Sequence, residues 1–212
     1  MFMVFTLGFH ADHIIRRLFR AGGGVDGVLL ATGRPVVRAV RQAYSEVAAI
    51  CDRMGLDPPK LLDLPLDDPS TGIAAVLREL RGRSHIVADL GGGMRPVVIM
   101  VFSALLLAAS RSFVEVYVSG EREDAPEIRI PLNTLLYALS GGLSREKMEI
   151  LSHLARMGSA TQHDLSQLLG RSERTIRAHL ADLRRYELVK EVGGRIELTG
   201  WASLVMSAAE SL

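Results

Sequence analysis

The sequence predicts an α/β domain with a mostly parallel sheet, followed by a small, mainly helical module that ends in a hairpin. Three observations point there. Over residues 1–131, short apolar runs alternate with stretches whose apolar residues recur every three or four positions. Glycine or proline clusters separate most of these segments. After residue 142 the pattern changes to three short helical periods and a paired run around Gly193-Gly194. Alternating strands and helices require βαβ crossovers, so the first part reads as Rossmann-like, with helices covering both faces of its sheet.

Each element has its own warrant. Met3–Leu7 is a buried strand ending at Gly8, and Ile14, Ile15, Leu18 and Phe19 mark one face of the helix after it, closed by Gly22-Gly23-Gly24. Val25–Ala31 is the second strand. Val36, Val37, Val40, Tyr44, Val47, Cys51 and Met54 then give a long amphipathic helix that stops before Asp57-Pro58-Pro59. Leu61–Leu66 is the third strand, and Asp68-Pro69 supplies an N-cap and a first-turn proline for a helix with Ile73, Val76, Leu77 and Leu80 inward. His85–Leu90, the helix Arg95–Arg111 and the strand Phe113–Val118 follow. Glu127–Pro131 alternates and ends in proline, as an edge strand does. Residues 132–142 read as a linker, which sets the domains at 1–131 and 143–212.

The helix at 95–111 is apolar almost all round from Val97 to Ala109, whereas covering one sheet face takes a single stripe. The second stripe is expected at the interface of a twofold homodimer, with Val101 and Leu105 as positions to test it. Burial within the same chain is the alternative.

In the C-terminal module, Ser144 caps a helix with Met148, Leu151, Leu154 and Ala155 inward. Thr161 and Asp164 suit a capping box for the next, which carries Leu165, Leu168 and Leu169. Gly170 makes the turn, and Ser172 caps a third helix with Ile176, Leu180 and Leu183 inward. Leu188–Lys190 and Arg195–Leu198 flank Gly193-Gly194 as a wing. The order helix, helix, turn, helix, hairpin is that of a winged helix-turn-helix. Net charge is only +1, yet the stretch Arg171–Arg185 holds five arginines against Glu173 and Asp182, while residues 1–140 balance fifteen bases with fifteen acids. The local excess fits double-stranded DNA as partner. Ser172, Arg174, Thr175 and Arg177 are the candidates for base edges, and Arg171 and Arg195 for phosphates. A protein-protein role for such a module is the alternative.

Several function classes lose their footing. Cys51 is the only cysteine, so no intrachain disulfide or Cys-rich metal centre forms, and the chain reads as cytoplasmic. Its apolar runs are too short to cross a bilayer. No motif assembles a catalytic triad, a carboxylate pair or a metal site, and no G-x-G-x-x-G calls for a dinucleotide cofactor.

Ligands of open parallel sheets collect beyond the carboxyl ends of the strands. Three loops belong there: Gly8-Phe9-His10, Thr32-Gly33-Arg34-Pro35 and Gly91-Gly92-Gly93-Met94-Arg95-Pro96. The last is the most informative, because glycines let a ligand approach the backbone while Arg95 and the following helix N-terminus favour an anion. Gly92 is expected to lie against it and Arg34 to add a second charge. A plain strand-to-helix turn is the alternative reading of the three glycines.

Asp89-Leu90-Gly91-Gly92-Gly93-Met94-Arg95, with Gly8-Phe9, Thr32-Gly33-Arg34-Pro35 and the trailing winged helix, resembles the CRISPR-associated transcriptional regulators built from a CARF domain and a winged helix-turn-helix. The resemblance covers essentially the whole chain. It implies a dimeric Rossmann-like sensor that binds cyclic oligoadenylate, typically the tetra-adenylate, across the twofold axis and controls CRISPR genes without acting as an enzyme. A metabolite sensor outside CRISPR, or a CARF-type nuclease cleaving its cyclic ligand, are the other readings. The family pattern places Ser or Thr two residues after the aspartate and a basic residue four further on. Arg95 matches the second position, and Gly91 stands where the hydroxyl is usual.

Overall fold

A computed structural model describes residues 1–119 and 126–211. The chain divides into two compact units, Met1–Leu132 and Asn133–Leu212.

The first unit runs β1 (Phe2–Thr6), α1 (Asp12–Ala21), β2 (Gly27–Gly33), α2 (Arg38–Arg53), β3 (Lys60–Leu64), α3 (Pro69–Leu80), β4 (His85–Asp89), α4 (Arg95–Ala108), β5 (Phe113–Val118) and β6 (Ile128–Pro131). Its sheet has the order β3-β2-β1-β4-β5-β6. The pairings are parallel except that of the edge strand β6, where Pro131 stands opposite Glu115. This is the mostly parallel, Rossmann-like sheet that the strand-helix alternation predicts. Every residue of central β1 is buried, as a strand covered on both faces requires. Met3, Phe5 and Leu7 form one core with Val28, Leu30 and the inner faces of α1 and α2. On the opposite face α3 and α4 pack on each other and α4 on β1 and β2. Asp68 caps α3 as its sequence suggests, accepting from the Thr71 amide at 3.0 Å.

Two helices are turned differently from the sequence expectation. On α1, His13, Ile14, Arg17 and Leu18 face inward, and Phe19 is 62% exposed. Arg17 can be buried there because its guanidinium meets the buried Asp89 carboxylate at 3.4 Å. On α4 the buried stripe is Val97, Met100, Val101, Ala104 and Leu105, while Ile99 and Leu107 are 65% and 58% exposed. Val101 and Leu105 therefore belong to the core of their own chain. The uncovered apolar stripe lies one step round the helix.

The second unit holds α5 (Leu132–Leu139, whose first residue closes the first unit), α6 (Arg145–Met157), β7 (Ser159–Ala160), α7 (Gln162–Leu169), α8 (Glu173–Arg185), β8 (Val189–Val192), β9 (Arg195–Leu198) and α9 (Gly200–Ser211). Most of the stretch 132–142, expected as a linker, is thus a helix, because Leu132 is fully buried and Tyr137 and Ala138 pack on the second core. That core gathers Ile150, Leu151, Leu154, Leu165, Ile176, Leu180, Leu183 and Ile196, and α9 closes it with Ala202 and Val205. Ala155 and Leu168, expected inward, are exposed. Thr161 and Asp164 form the capping box of α7, and β7 joins the hairpin as an outer strand in the order β7-β9-β8.

Candidate functional site

The strand order reverses between β1 and β4, since the chain winds outward through β2 and β3 and returns on the other side of β1. Loops leaving the carboxyl ends of these two strands diverge to opposite faces, which is where open α/β sheets bind ligands. The loops meet at their base through backbone alone. A Cβ on Gly8 would stand 2.9 Å from the Gly93 nitrogen, so the approach requires glycine there. A Cβ on Gly33 would lie 3.1 Å from the sulfur of Met94, so the β2 loop joins them.

Above this base the predicted residues separate into two groups. Phe9, His10, Met94, Arg95 and Pro96 are exposed, and Arg95 makes no ion pair among the described residues. Arg95 opens α4, whose first turn contains Pro96 and whose N-terminal end has no side-chain cap. An exposed arginine therefore stands at the positive end of the α4 dipole. Phe9 and His10 also line a cleft of about 500 Å3 with Asp12, Ala39 and Gln42. The second group is already engaged. Thr32 is 2% exposed inside β2, opposite Asp63, and serves the sheet rather than its rim. Arg34 lies on the surface beside Pro35, but its Nε donates to Asp63 at 2.8 Å. That bond raises the arginine's pKa and lowers the aspartate's. Gly92 does not face outward, because a Cβ there would come 2.3 Å from the His13 ring.

The glycine loop rests on a buried polar frame that motif reading passed over. Asp89, 1% exposed, accepts from the Gly91 amide at 2.9 Å, from Ser119 Oγ at 2.9 Å and from Arg17 Nε at 3.4 Å. The Arg17 guanidinium also donates to Glu127 and lies 3.8 Å over the Tyr117 ring. Thr6 Oγ1 donates to the Gly92 carbonyl at 2.5 Å. His13 Nε2 lies 3.2 Å from the Thr6 carbonyl oxygen. Burial pushes the His13 pKa down, against the opposing pull of the Asp89 carboxylate. Ser119 fills the space that a side chain at Gly91 would take, 2.9 Å from its Cβ position. The Ser119 hydroxyl, just past the end of β5, is engaged by Asp89. Asp89 stood in the strand-four motif; Arg17, His13 and Ser119 were hidden because polar residues break the apolar period that locates buried faces.

In the second unit Gly170 takes a left-handed conformation, φ 60° and ψ 34°, and turns the chain from α7 into α8. Ser172 caps α8, accepting from the Thr175 amide at 3.1 Å, and its hydroxyl lies 2.9 Å from that of Thr175. Both candidates for base contact thus also hold the helix start. Arg171, Arg174 and Arg177 are exposed and carry no ion pair among the described residues. They form a cationic face at the N-terminal end of α8, within which Glu173 lies near Arg177. Arg195 donates to Ser159 Oγ at 2.8 Å and to the Ser159 carbonyl at 3.0 Å, so this predicted phosphate contact also ties the wing to β7. Among the described residues no cluster of metal-ligating side chains occurs, and no helix is long and apolar enough to cross a membrane.

The profile of the Csa3 CRISPR-associated Rossmann-like domain matches residues 1–131, and that of the bacterial regulatory proteins of the arsR family matches residues 144–191. A protein of Saccharolobus solfataricus named "CRISPR locus-related putative DNA-binding protein Csa3" is 25% identical over 190 residues, covering 89% of this chain and 79% of that one. A protein of the same name from Thermoproteus tenax is 29% identical over 221 residues, covering 100% of both. Among solved structures, a Vibrio cholerae protein overlaps with a TM-score of 0.40 at 11% identity, over 98% of this chain and 63% of that one. Can2 from Sulfobacillus thermosulfidooxidans, solved in complex with cyclic tetra-adenylate, overlaps with a TM-score of 0.36 at 10% identity, over 98% of this chain and 64% of that one. The chain spans less than two thirds of either structure, and overlaps this loose carry no argument. The profile that spans the sheet-bearing unit and the helix-turn-helix behind it together place the chain in the Csa3 family of CRISPR-associated proteins.

Proposed function

We propose that the protein is a DNA-binding regulator of CRISPR-associated genes whose N-terminal unit senses a cyclic oligoadenylate, the cyclic tetra-adenylate first of all, as a homodimer. The observation that carries the reading is the pairing of two anion-seeking edges in one chain. One is the Gly91–Gly93 loop with Arg95 at the start of α4, and the other is the exposed arginine face of α8. A cyclic oligoadenylate carries one negative charge per phosphate. Two copies of the chain related by a twofold axis would offer two helix N-termini and two Arg95 to a ligand of matching symmetry. The uncovered stripe of α4, around Ile99 and Leu107, is the surface that such an axis would bury. Arg174 and Arg177 read base edges, while Arg171 adds charge to the phosphates.

Titration calorimetry with cyclic tetra-adenylate tests the sensor. Arg95→Ala removes a charge-assisted hydrogen bond worth roughly 1.5 to 3 kcal/mol, about ten- to a hundredfold in affinity. Wild-type affinity in a folded Arg95→Ala variant means the loop is only a turn. Absence of binding by the wild type points to another metabolite, and linear products in the cell to a nuclease. On the DNA side, Arg174→Ala and Arg177→Ala should each cost about 1 to 3 kcal/mol on a duplex enriched by the wild type from a randomised pool. Unchanged affinity in both removes α8 as the reading element.

A further inference from the structure

The helix that replaces the expected linker grips the far end of the reading helix. Tyr137 of α5 stacks on Tyr186, the residue ending α8, with ring centroids 3.8 Å apart and planes 10° from parallel. Thr134 Oγ1, on a residue 1% exposed, donates to the Tyr186 carbonyl at 2.8 Å. Lys147 of α6 closes the arrangement. Its Nζ donates to Tyr137 Oη at 2.5 Å, to Asp182 Oδ2 in the last turn of α8 at 2.7 Å and to the Gly142 carbonyl at 3.3 Å. The Lys147 side chain is only 13% exposed, so this cation faces inward to the clamp.

The length of α8 gives the clamp its consequence. α8 has 13 residues, about 20 Å of helix, with Arg174 and Arg177 in its first half and the clamp at its far end. A small tilt at Tyr186 therefore becomes a displacement at Arg174. We propose that Tyr137 and Lys147 are positioning residues that set the pose of α8, so that a clamp at one end of the helix governs DNA reading at the other. The proposal rests on the regulator reading above.

The test uses the full chain and the duplex enriched by the wild type. Affinity is measured by fluorescence anisotropy over a salt series for Lys147→Met and Tyr137→Leu, beside the conservative Lys147→Arg and Tyr137→Phe. The two disruptive variants should bind about tenfold more weakly, a loss in the range by which coupling networks act. Their dependence on salt should match the wild type, because no phosphate contact is lost, and Lys147→Arg should recover most of the affinity. Amide exchange at Arg184–Tyr186 should be faster in both. A salt slope lowered by about one in Lys147→Met would identify a plain phosphate contact and overturn the clamp. So would wild-type affinity once corrected for the folded fraction, which is all that a merely stabilising role allows. Failure of the wild type to enrich any duplex defeats the regulator reading itself, an outcome distinct from variants that match a binding wild type.

Discussion

Arg17 is the residue on which the candidate ligand site depends without belonging to its surface. Its guanidinium lies under the glycine loop, between Asp89 and Glu127 and over the face of Tyr117. Removing one partner of a buried pair leaves the other charge desolvated, which typically costs about 3 to 5 kcal/mol. Asp89 keeps its bonds from Gly91 and Ser119, so Arg17→Met should fall near the low end, about 3 kcal/mol by urea denaturation. A loss below about 1 kcal/mol would remove Arg17 from this role. His13 yields a pH prediction. Burial holds its folded pKa below the ordinary 6.5, so on acidification the unfolded chain takes up a proton that the folded chain refuses. Its effect on stability is absent above pH 6.5 and grows as the pH falls below that value towards the folded pKa. His13→Gln should flatten this part of the stability curve between pH 6.5 and 5 relative to wild type. Parallel curves would show that His13 is not held neutral by its site. Gly92 changes meaning in the same light, because a valine there would strike the His13 ring from inside before it met any ligand.

At the scale of elements, α4 carries two apolar stripes with different duties. Val101 and Leu105 are fully buried against their own sheet, so Leu105→Ala should destabilise the fold by about 2 to 5 kcal/mol. Ile99 and Leu107 point outward, and Ile99→Glu should leave stability nearly unchanged while converting the proposed dimer to monomers in light scattering. Persistence of the dimer places the twofold contact elsewhere. Periodicity could show that α4 is apolar beyond the needs of one face, but two overlapping stripes on one helix have the same composition. Only the position of the sheet distinguishes them. The cap of α8 offers a parallel case, where Ser172→Ala should cost about 1 kcal/mol of stability as well as any contact with DNA.

For the whole molecule, a ligand that binds the folded first unit and not the unfolded chain adds RT ln(1 + [L]/Kd) to its stability. At a hundredfold excess over Kd this is about 2.7 kcal/mol, so cyclic tetra-adenylate should raise the first unit's melting temperature in calorimetry and leave that of Arg95→Ala closer to its unliganded value. Equal shifts in both proteins would separate Arg95 from the ligand. The near-zero net charge conceals the arginine cluster of α8, because acidic residues elsewhere in the second unit offset it.

Local physics is legible in one dimension, and the sequence by itself determined whatever depends on it. Apolar periods located nearly every strand and helix of the first unit, Asp68, Thr161 and Ser172 marked helix starts, and Gly170 and Gly193-Gly194 marked turns. The rim of the sheet was legible too, since glycines after β1 and β4 answer to a backbone approach that admits no side chain. Tertiary structure alone decided which polar residues go inside. Arg17, His13 and Thr134 are buried because partners up to 110 residues away meet their hydrogen bonds, and no period announces such a pairing. It likewise decided that residues 132–139 are a helix, because Tyr137 and Ala138 pack on a core built largely from residues beyond 150. Helix formation over so short a segment is stabilised by packing rather than by propensity, and packing is not written in the segment itself.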